Sequence, residues 1–142
     1  MKKIAILSLT ALLFIGSCKK ENAKDCRETN KISVENASIV SKGNIVFRAE
    51  GNAAGQVAIY QLPDGKYILG LEQISFTSNR DVELYLSKTP GMSATSIKIF
   101  SFQSINGTLY HELPSHINIA DFRYVIIQDD TEQDAVASAE LK

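Results

Sequence analysis

The hydrophobic and polar positions divide the chain into three parts of different texture. Residues 4–15 form a predominantly apolar run, whereas residues 19–31 contain almost no apolar side chains. From Ile32 onward, short runs rich in Val, Ile, Tyr and Phe alternate with Gly, Pro, Asn and Asp. Such runs, separated by turn-forming residues, are typical of an all-β domain. The pattern therefore predicts three segments: residues 1–17, 18–31 and 32–142.

Within the last segment, the pattern predicts eight or nine strands. The clearest is at residues 81–87, where Val82, Leu84 and Leu86 alternate with polar positions, as expected for a strand with one buried face. The other predicted strands are at residues 39–40, 45–47, 56–62, 67–71, 96–102, 108–113, 122–128 and 135–141. Because no long helix is predicted, the expected fold is an antiparallel two-layer β-sandwich.

Turn-forming residues are expected to join these strands. Residues 41–44 and Asn106-Gly107 are predicted to be the turns of two hairpins. Pro63-Asp64-Gly65 is a third predicted turn, because Pro presets φ and Gly accepts a positive φ. Pro114 is expected to end a strand, since it has no N–H to donate to a neighbouring strand.

The apolar run at the start of the chain has the features of an export signal. Two lysines precede it, and it is shorter than the roughly 20 residues that a membrane-spanning helix needs. It leads directly into Ile15-Gly16-Ser17-Cys18, which resembles the lipobox of bacterial lipoproteins. The resemblance implies that residues 1–17 are cleaved and that Cys18 carries covalent lipid. The alternative is an ordinary cleaved signal in which Cys18 stands by chance.

Lipid on Cys18 implies a protein that is anchored to a membrane and does not span it. Each buried methylene of an acyl chain contributes about 0.8 kcal/mol, and lipoproteins of this kind generally carry three chains. Lys19 follows the cysteine in place of the aspartate that commonly retains such proteins in the inner membrane. We therefore expect the protein to be attached to the outer membrane of the cell envelope. The periplasmic face and the cell surface are the two alternatives for its position. Residues 18–31 are expected to be the lipidated cysteine and a flexible tether.

Charge and cysteine content narrow the classes of partner. The chain has 15 basic and 16 acidic residues, a formal net charge of −1. Removal of residues 1–17 takes away two lysines and leaves −3, so nothing indicates the basic surface that nucleic-acid binding requires. If Cys18 is lipidated, Cys26 is the one remaining thiol. Cys26 could form an intermolecular disulfide or be a reactive thiol. The alternative is an unpaired cysteine without a functional role.

Candidate catalytic and metal-binding groups are few. A metal ion could bind His111 and His116 together with Glu112 or Asp121, but their spacing matches no standard motif. Histidines at loop ends are the alternative. The acidic stretch 129–134 could hold calcium, but it lacks the EF-hand pattern and also fits a solvated turn. No nucleophile-elbow pattern is present, so we expect neither an enzyme nor a metal or cofactor site.

Three tyrosines are candidates for ligand or partner contact. Tyr85 falls on the polar face of the clearest strand, and Tyr60 and Tyr110 are predicted on strands that could be near it. Exposed tyrosines can stack on sugar rings or anchor a protein contact. They can equally be cross-strand packing partners. An envelope protein or a carbohydrate is the expected ligand class on the first interpretation.

Four stretches of the predicted domain follow one another in the order of a known family. They are residues 55–60, 81–87, 106–110 with Leu113-Pro114, and 124–127. They resemble the DM-thirteen domain, a small β-sandwich often found beside the haem- and sugar-binding DOMON domain. The resemblance implies a β-sandwich and raises the possibility of electron transfer.

The chain departs from the family pattern at two places. Asn79-Arg80 precedes Asp81 where the family usually has Gly-Pro, and Ile127-Gln128 stands where it commonly has Trp-Cys. Glutamine can neither be oxidised nor bind a soft metal as a thiolate does. The residue on which the electron-transfer role would depend is therefore absent.

The sequence thus predicts a membrane-anchored lipoprotein of the cell envelope carrying a non-catalytic binding or interaction module. An electron-transfer accessory domain with a bound redox cofactor is the alternative. A purely structural envelope lipoprotein is a third interpretation.

Overall fold

The computed structural model describes residues 32–48, 53–131 and 135–142. It contains six strands: β1 (Ser38–Phe47), β2 (Ala53–Gln61), β3 (Tyr67–Ser87), β4 (Ile97–Glu112), β5 (Tyr124–Asp129) and β6 (Ala135–Glu140). The one helical element of these residues is a 3-10 turn, Ile119–Asp121. The prediction of an all-β domain is confirmed. The expected signal peptide, Cys18, the tether and Cys26 lie outside the described residues.

The strands form one sheet that closes on itself. Their order is β2-β1-β6-β5-β3-β4, and β2 also pairs with β3. Five strands therefore form a closed barrel, and β4 adds an outer strand beside β3. All six pairings are antiparallel.

A ring of five strands cannot be antiparallel throughout unless one strand changes direction, and β3 is that strand. Its residues 67–72 pair with β2, whereas residues 82–87 pair with β5. The pairing of β3 with β4 is irregular between Thr77 and Val82. Such irregularities bend a strand, so the two halves of β3 act as two members of the barrel.

The bend in β3 explains why the predicted two-layer sandwich of eight or nine strands is not confirmed. The strands predicted at 67–71 and 81–87 are the two halves of β3, and those at 96–102 and 108–113 are the two halves of β4. The predicted hairpin at Asn106-Gly107 is therefore wrong. Asn106 lies opposite Ser75 and Gly107 opposite Ile74, so β4 continues through the dipeptide. Gly107 has a φ of 109°, a left-handed value, and it lies beside the register shift between Leu71 and Ile74 of β3.

The hairpin predicted at residues 41–44 is also wrong. β1 runs unbroken through them, with Lys42 opposite Ala58 and Asn44 opposite Gln56 on β2. Register shifts between Ile39 and Ser41 and between Asn44 and Val46 indicate bulges in place of a turn. Pairing along β2 satisfies the backbone groups that a turn would otherwise satisfy locally.

Two predictions about the ends of strands are confirmed. At Pro63-Asp64-Gly65, Gly65 has a φ of 87°, and the amide of Leu62 donates to the carbonyl of Lys66 at 2.8 Å. β4 ends two residues before Pro114, whose carbonyl accepts a hydrogen bond from Ile117.

The interior of the barrel holds the alternating apolar side chains. Val82, Leu84 and Leu86 are all completely buried, as predicted. β5 is covered on both faces, also as predicted, with Val125, Ile126 and Ile127 at most 1% exposed. Each such aliphatic side chain contributes about 1.5–3 kcal/mol by leaving water, so the interior is the main source of stability.

The barrel closes where β1 meets β6. The backbones of Lys42 and Lys142 exchange hydrogen bonds of 3.0 and 2.9 Å, and the amide of Arg48 donates to the carbonyl of Val136. Gly43 lies at this junction, where an added Cβ would overlap the carbonyl oxygen of Glu140. Glycine is therefore needed for β1 to approach β6 this closely.

Within the described ranges, no helix is both long enough and apolar enough to cross a membrane.

Candidate functional site

Two of the predicted tyrosines meet on the outer surface of the barrel. Tyr60 of β2 and Tyr110 of β4 both donate their hydroxyl hydrogen bonds to Oε1 of Glu72 on β3, Tyr110 at 3.3 Å. Their ring centroids are 6.0 Å apart and the ring planes are 79° apart. All three side chains are half-buried. We call these three residues the tyrosine cluster.

Gly70 makes this arrangement possible. It lies opposite Ala58 on β2 and opposite Tyr110 on β4. A Cβ at this position would be 2.8 Å from Cε1 of Tyr110 and 3.1 Å from Cε2 of Tyr60. The two rings therefore occupy the space that any other residue's side chain would need.

Burial and Glu72 together keep both tyrosines in their neutral form. Burial, and then the hydrogen bond to Glu72, raise the pKa of Tyr60 well above its usual value of 10. Burial and the negative charge of Glu72 raise the pKa of Tyr110. Both hydroxyls thus remain hydrogen-bond donors to the carboxylate at neutral pH. Oε2 of Glu72 accepts no hydrogen bond from the described residues, so it can accept one from a ligand.

Tyr85 belongs to a different cluster, on the second half of β3. Its hydroxyl donates to Oε2 of Glu83 at 2.5 Å, and Nζ of Lys98 donates to Oε1 of the same carboxylate. The hydrogen bond to Glu83, helped by burial, raises the pKa of Tyr85 to about 12. Hydrogen bonds from Lys98 and Tyr85 lower the pKa of Glu83. The structure thus brings Tyr60 and Tyr110 together and places Tyr85 in a separate group.

The tyrosines also pack against apolar residues outside the barrel interior. Tyr60 lies opposite Ile68, and Tyr85 opposite Ile126. Both isoleucines are completely buried but do not belong to the interior core cluster. The packing interpretation of these tyrosines therefore has a physical basis alongside the binding one.

Three of the four residues considered for metal binding, His111, Glu112 and Asp121, are held by other contacts. The ring of His111 stacks on Phe100 with centroids 4.7 Å apart, and burial lowers its pKa. Glu112 pairs with Lys66 at 3.3 Å and Asp121 with Lys88 at 2.9 Å. His116 lies in the exposed turn after Pro114. Over the described residues, no group of three or more His, Cys, Asp or Glu side chains is placed to hold a metal ion.

The acidic stretch at 129–134 is described only as far as Thr131. Oδ1 of Asp129 accepts hydrogen bonds from the amide and the hydroxyl of Thr131, at 2.9 and 2.7 Å. Arg80 lies 3.8 Å from Oδ2 of the same carboxylate. Asp129 is thus part of a local turn network. Residues 132–134 lie outside the described part of the chain.

Gln128, where the resemblance would imply a cysteine, lies on β5 opposite Glu83. Glu83 lies between the buried Val82 and Leu84 along β3. Because opposite residues of antiparallel strands share a face, Gln128 is on the outer face with the Tyr85 cluster.

A groove of about 500 Å³ lies on the outer surface where β1 meets β6. Its polar lining residues are Lys42, Asn44, Gln56, Ser138, Glu140 and Lys142. Nζ of Lys142 is 3.4 Å from the carboxylate of Glu140. We call this feature the β1–β6 groove.

Strand register connects the groove to the tyrosine cluster. Gln56 of the groove lies opposite Glu72 of the cluster. In the next row, Lys42 lies opposite Ala58, and Ala58 opposite Gly70. Neighbouring strands are about 4.8 Å apart, so the backbones of Lys42 and Gly70 are separated by about 10 Å. The groove and the cluster therefore form one continuous outer surface.

The sequence singled out the tyrosines but missed Gly70, Glu72 and the β1–β6 groove. A glycine within an apolar strand is a signal for close approach of neighbouring groups, and Gly70 interrupts such a run. Glu72 carries no comparable signal, because its partners come from β2 and β4.

Comparison of the chain with protein-family models, with curated proteins and with solved structures finds no match to any of them.

Proposed function

We propose that this chain is a membrane-anchored lipoprotein of the cell envelope whose all-β domain is a non-catalytic binding module. Cys18 carries the lipid anchor, and the outer membrane is the proposed site. The tyrosine cluster is the proposed contact surface, with an envelope protein or a carbohydrate as its ligand. No nucleic acid is expected to bind.

The observation that carries the binding proposal is the convergence of two tyrosine hydroxyls on one carboxylate oxygen above a glycine. The two rings, on β2 and β4, are held by Glu72 on the strand between them. They therefore lose little conformational freedom when a ligand binds, and less of the interaction energy is offset by lost entropy. The half-buried rings offer apolar contact, and Glu72 offers a hydrogen-bond acceptor. This combination suits a ligand that has both apolar faces and hydroxyl groups.

The anchor proposal is supported by the residues around Cys18 and by the length of chain between it and the domain. Thirteen residues, 19–31, separate Cys18 from Ile32, the first described residue. Fully extended, they would reach at most about 50 Å. A domain attached in this way can meet ligands beside the membrane.

Membership of the DM-thirteen family is part of the same proposal. It is supported by the order of the four matching stretches. The electron-transfer alternative would need a cofactor held without the family cysteine. Visible absorbance of protein purified from its own envelope would favour that alternative.

The binding proposal is tested with the full chain in detergent micelles, titrated with oligosaccharides released from its own envelope. NMR amide shifts should change around Tyr60, Glu72 and Tyr110. The double variant Tyr60→Phe/Tyr110→Phe keeps both rings and removes both hydroxyls, so binding should weaken at least five-fold.

Tyr85→Phe is the matched control, because it removes an equivalent bond from tyrosine to carboxylate in the other cluster. Its affinity should equal that of the unchanged protein. Equal losses in both variants, or shifts confined to the Tyr85 cluster, would contradict the tyrosine cluster as the contact surface.

A further inference from the structure

The β1–β6 groove has an unusual set of polar groups for the surface of this domain. The side chains of Asn44, Gln56 and Ser138 make no hydrogen bond with other described residues. Amides and hydroxyls both donate and accept, so they match the adjacent hydroxyl groups of a sugar. At about 500 Å³, the groove lies within the usual size range of small-ligand sites.

Lys42 contributes a positive charge to the groove. The other described lysines, Lys66, Lys88, Lys98 and Lys142, each pair with an acidic residue. Lys42 has no ion pair within the described ranges, and its side chain is exposed. Over residues 32–142 the chain has 8 basic and 13 acidic residues. In a domain of this net charge, Lys42 is a cation within the groove with which a negatively charged group can pair.

The tyrosine cluster at the other end of the surface has the opposite character. Glu72 presents a carboxylate and the two rings present apolar surface, which suits a neutral sugar ring and its hydroxyl donors. About 10 Å separates the backbones of Lys42 and Gly70 across two strand spacings. A short oligosaccharide can span that distance.

We propose that the β1–β6 groove and the tyrosine cluster form one site for an acidic oligosaccharide. A carboxylate on one sugar pairs with Lys42, and hydroxyl groups bind Asn44, Gln56 and Ser138. An adjoining sugar ring lies against Tyr60 and Tyr110. This inference rests on the proposed binding function and names its ligand class.

The test is isothermal titration of the full chain in detergent with two probes, a galactose trimer with a single galacturonic acid at one end and the corresponding trimer of galactose. The two differ in one carboxylate, and the sugar ring that meets Glu72 can be neutral in both. The acidic trimer should bind at least ten-fold more tightly than the neutral one. Its affinity should fall as salt rises, because Lys42 is exposed and its attraction is screened.

Lys42→Ala should weaken binding of the acidic trimer at least five-fold and leave the affinity for the neutral trimer unchanged. The substitution keeps the backbone bonds between Lys42 and Lys142, and circular dichroism checks that the strands remain. Lys88→Ala is the matched control, since Lys88 is an exposed lysine paired with Asp121 away from the groove. It should change neither affinity.

The remaining outcomes separate this inference from the proposed function. The two trimers could bind with equal affinity that Lys42→Ala leaves unchanged and Tyr60→Phe/Tyr110→Phe weakens. This result would overturn the proposal of an acidic ligand and would leave the proposed binding module standing. Failure of both trimers to bind would overturn the oligosaccharide site. If envelope material also left the tyrosine cluster unperturbed, the proposed function would fail with it.

Discussion

A single missing side chain allows the tyrosine cluster to form. Gly70 leaves the space into which the rings of Tyr60 and Tyr110 pack, close enough for both hydroxyls to reach Glu72. The cluster therefore depends on a residue that has no side chain.

Gly70→Ala should lower the free energy of unfolding by about 1–3 kcal/mol, the usual cost of overpacking. The new Cβ would be 2.8 Å from the ring of Tyr110, so that ring must move from Glu72. Chemical denaturation measures the loss. Gly91→Ala is the control, because nothing lies within 4 Å of its Cβ position. Equal stability of the two variants would contradict the packing role of Gly70.

Tyr85 should ionise late in an alkaline titration. Its folded-state pKa of about 12 lies above the value of 10 in an unfolded chain, so folding favours its neutral form. The associated stability is complete below pH 10 and is lost as the pH rises through about 12.

The measurement for Tyr85 is the difference in phenolate absorbance between the unchanged protein and Tyr85→Phe. The chain has five tyrosines and no tryptophan, so the difference isolates one group. A transition near pH 10 in this difference would mean that the hydrogen bond to Glu83 does not hold in solution.

At the scale of elements, the closure of the barrel depends on the junction between β1 and β6. Gly43→Ala should open this junction, because the new Cβ would overlap the backbone oxygen of Glu140. At least the two bonds between Lys42 and Lys142 should be lost, at about 1 kcal/mol each. Hydrogen exchange of these two amides measures the opening. Protection unchanged from that in Gly91→Ala would contradict the closed barrel.

The positions and buried faces of the strands could be predicted from the alternation of apolar and polar residues. The way in which the strands are connected could not. Val82, Leu84 and Leu86 are buried as their spacing indicates, because a strand with one covered face requires that period. Asn106-Gly107 has strong local turn propensity, yet pairing with Ile74 and Ser75 keeps it inside β4. Turn propensity is a local quantity, whereas this pairing depends on where β3 bends.

The candidate site was also only partly predictable, because local sequence patterns do not specify contacts between distant residues. Tyr60 and Tyr110 could be selected as residue types on predicted strands. Their meeting at Glu72 depends on the registers of β2, β3 and β4, which no local pattern specifies. The β1–β6 groove depends on the junction of β1 with the last strand, and this too could not be predicted from the sequence.

At the scale of the whole molecule, we propose that a lipid anchor and a tether hold the barrel, whose outer face is the proposed ligand surface. The rigid strands position the tyrosine cluster and the β1–β6 groove relative to each other. The lipid on Cys18 would hold that surface beside the envelope, where its ligand would be met. Attachment through Cys18 is thus the central claim, because it specifies where the binding module acts.

Incorporation of labelled fatty acid into the full chain in a bacterial host tests this claim most directly. The unchanged protein and Cys26→Ala should both be labelled and sediment with membranes, because only Cys18 follows the lipobox-like residues. Cys18→Ala should be unlabelled and released from membranes. Normal labelling of Cys18→Ala, or an unlabelled unchanged protein, would contradict the account.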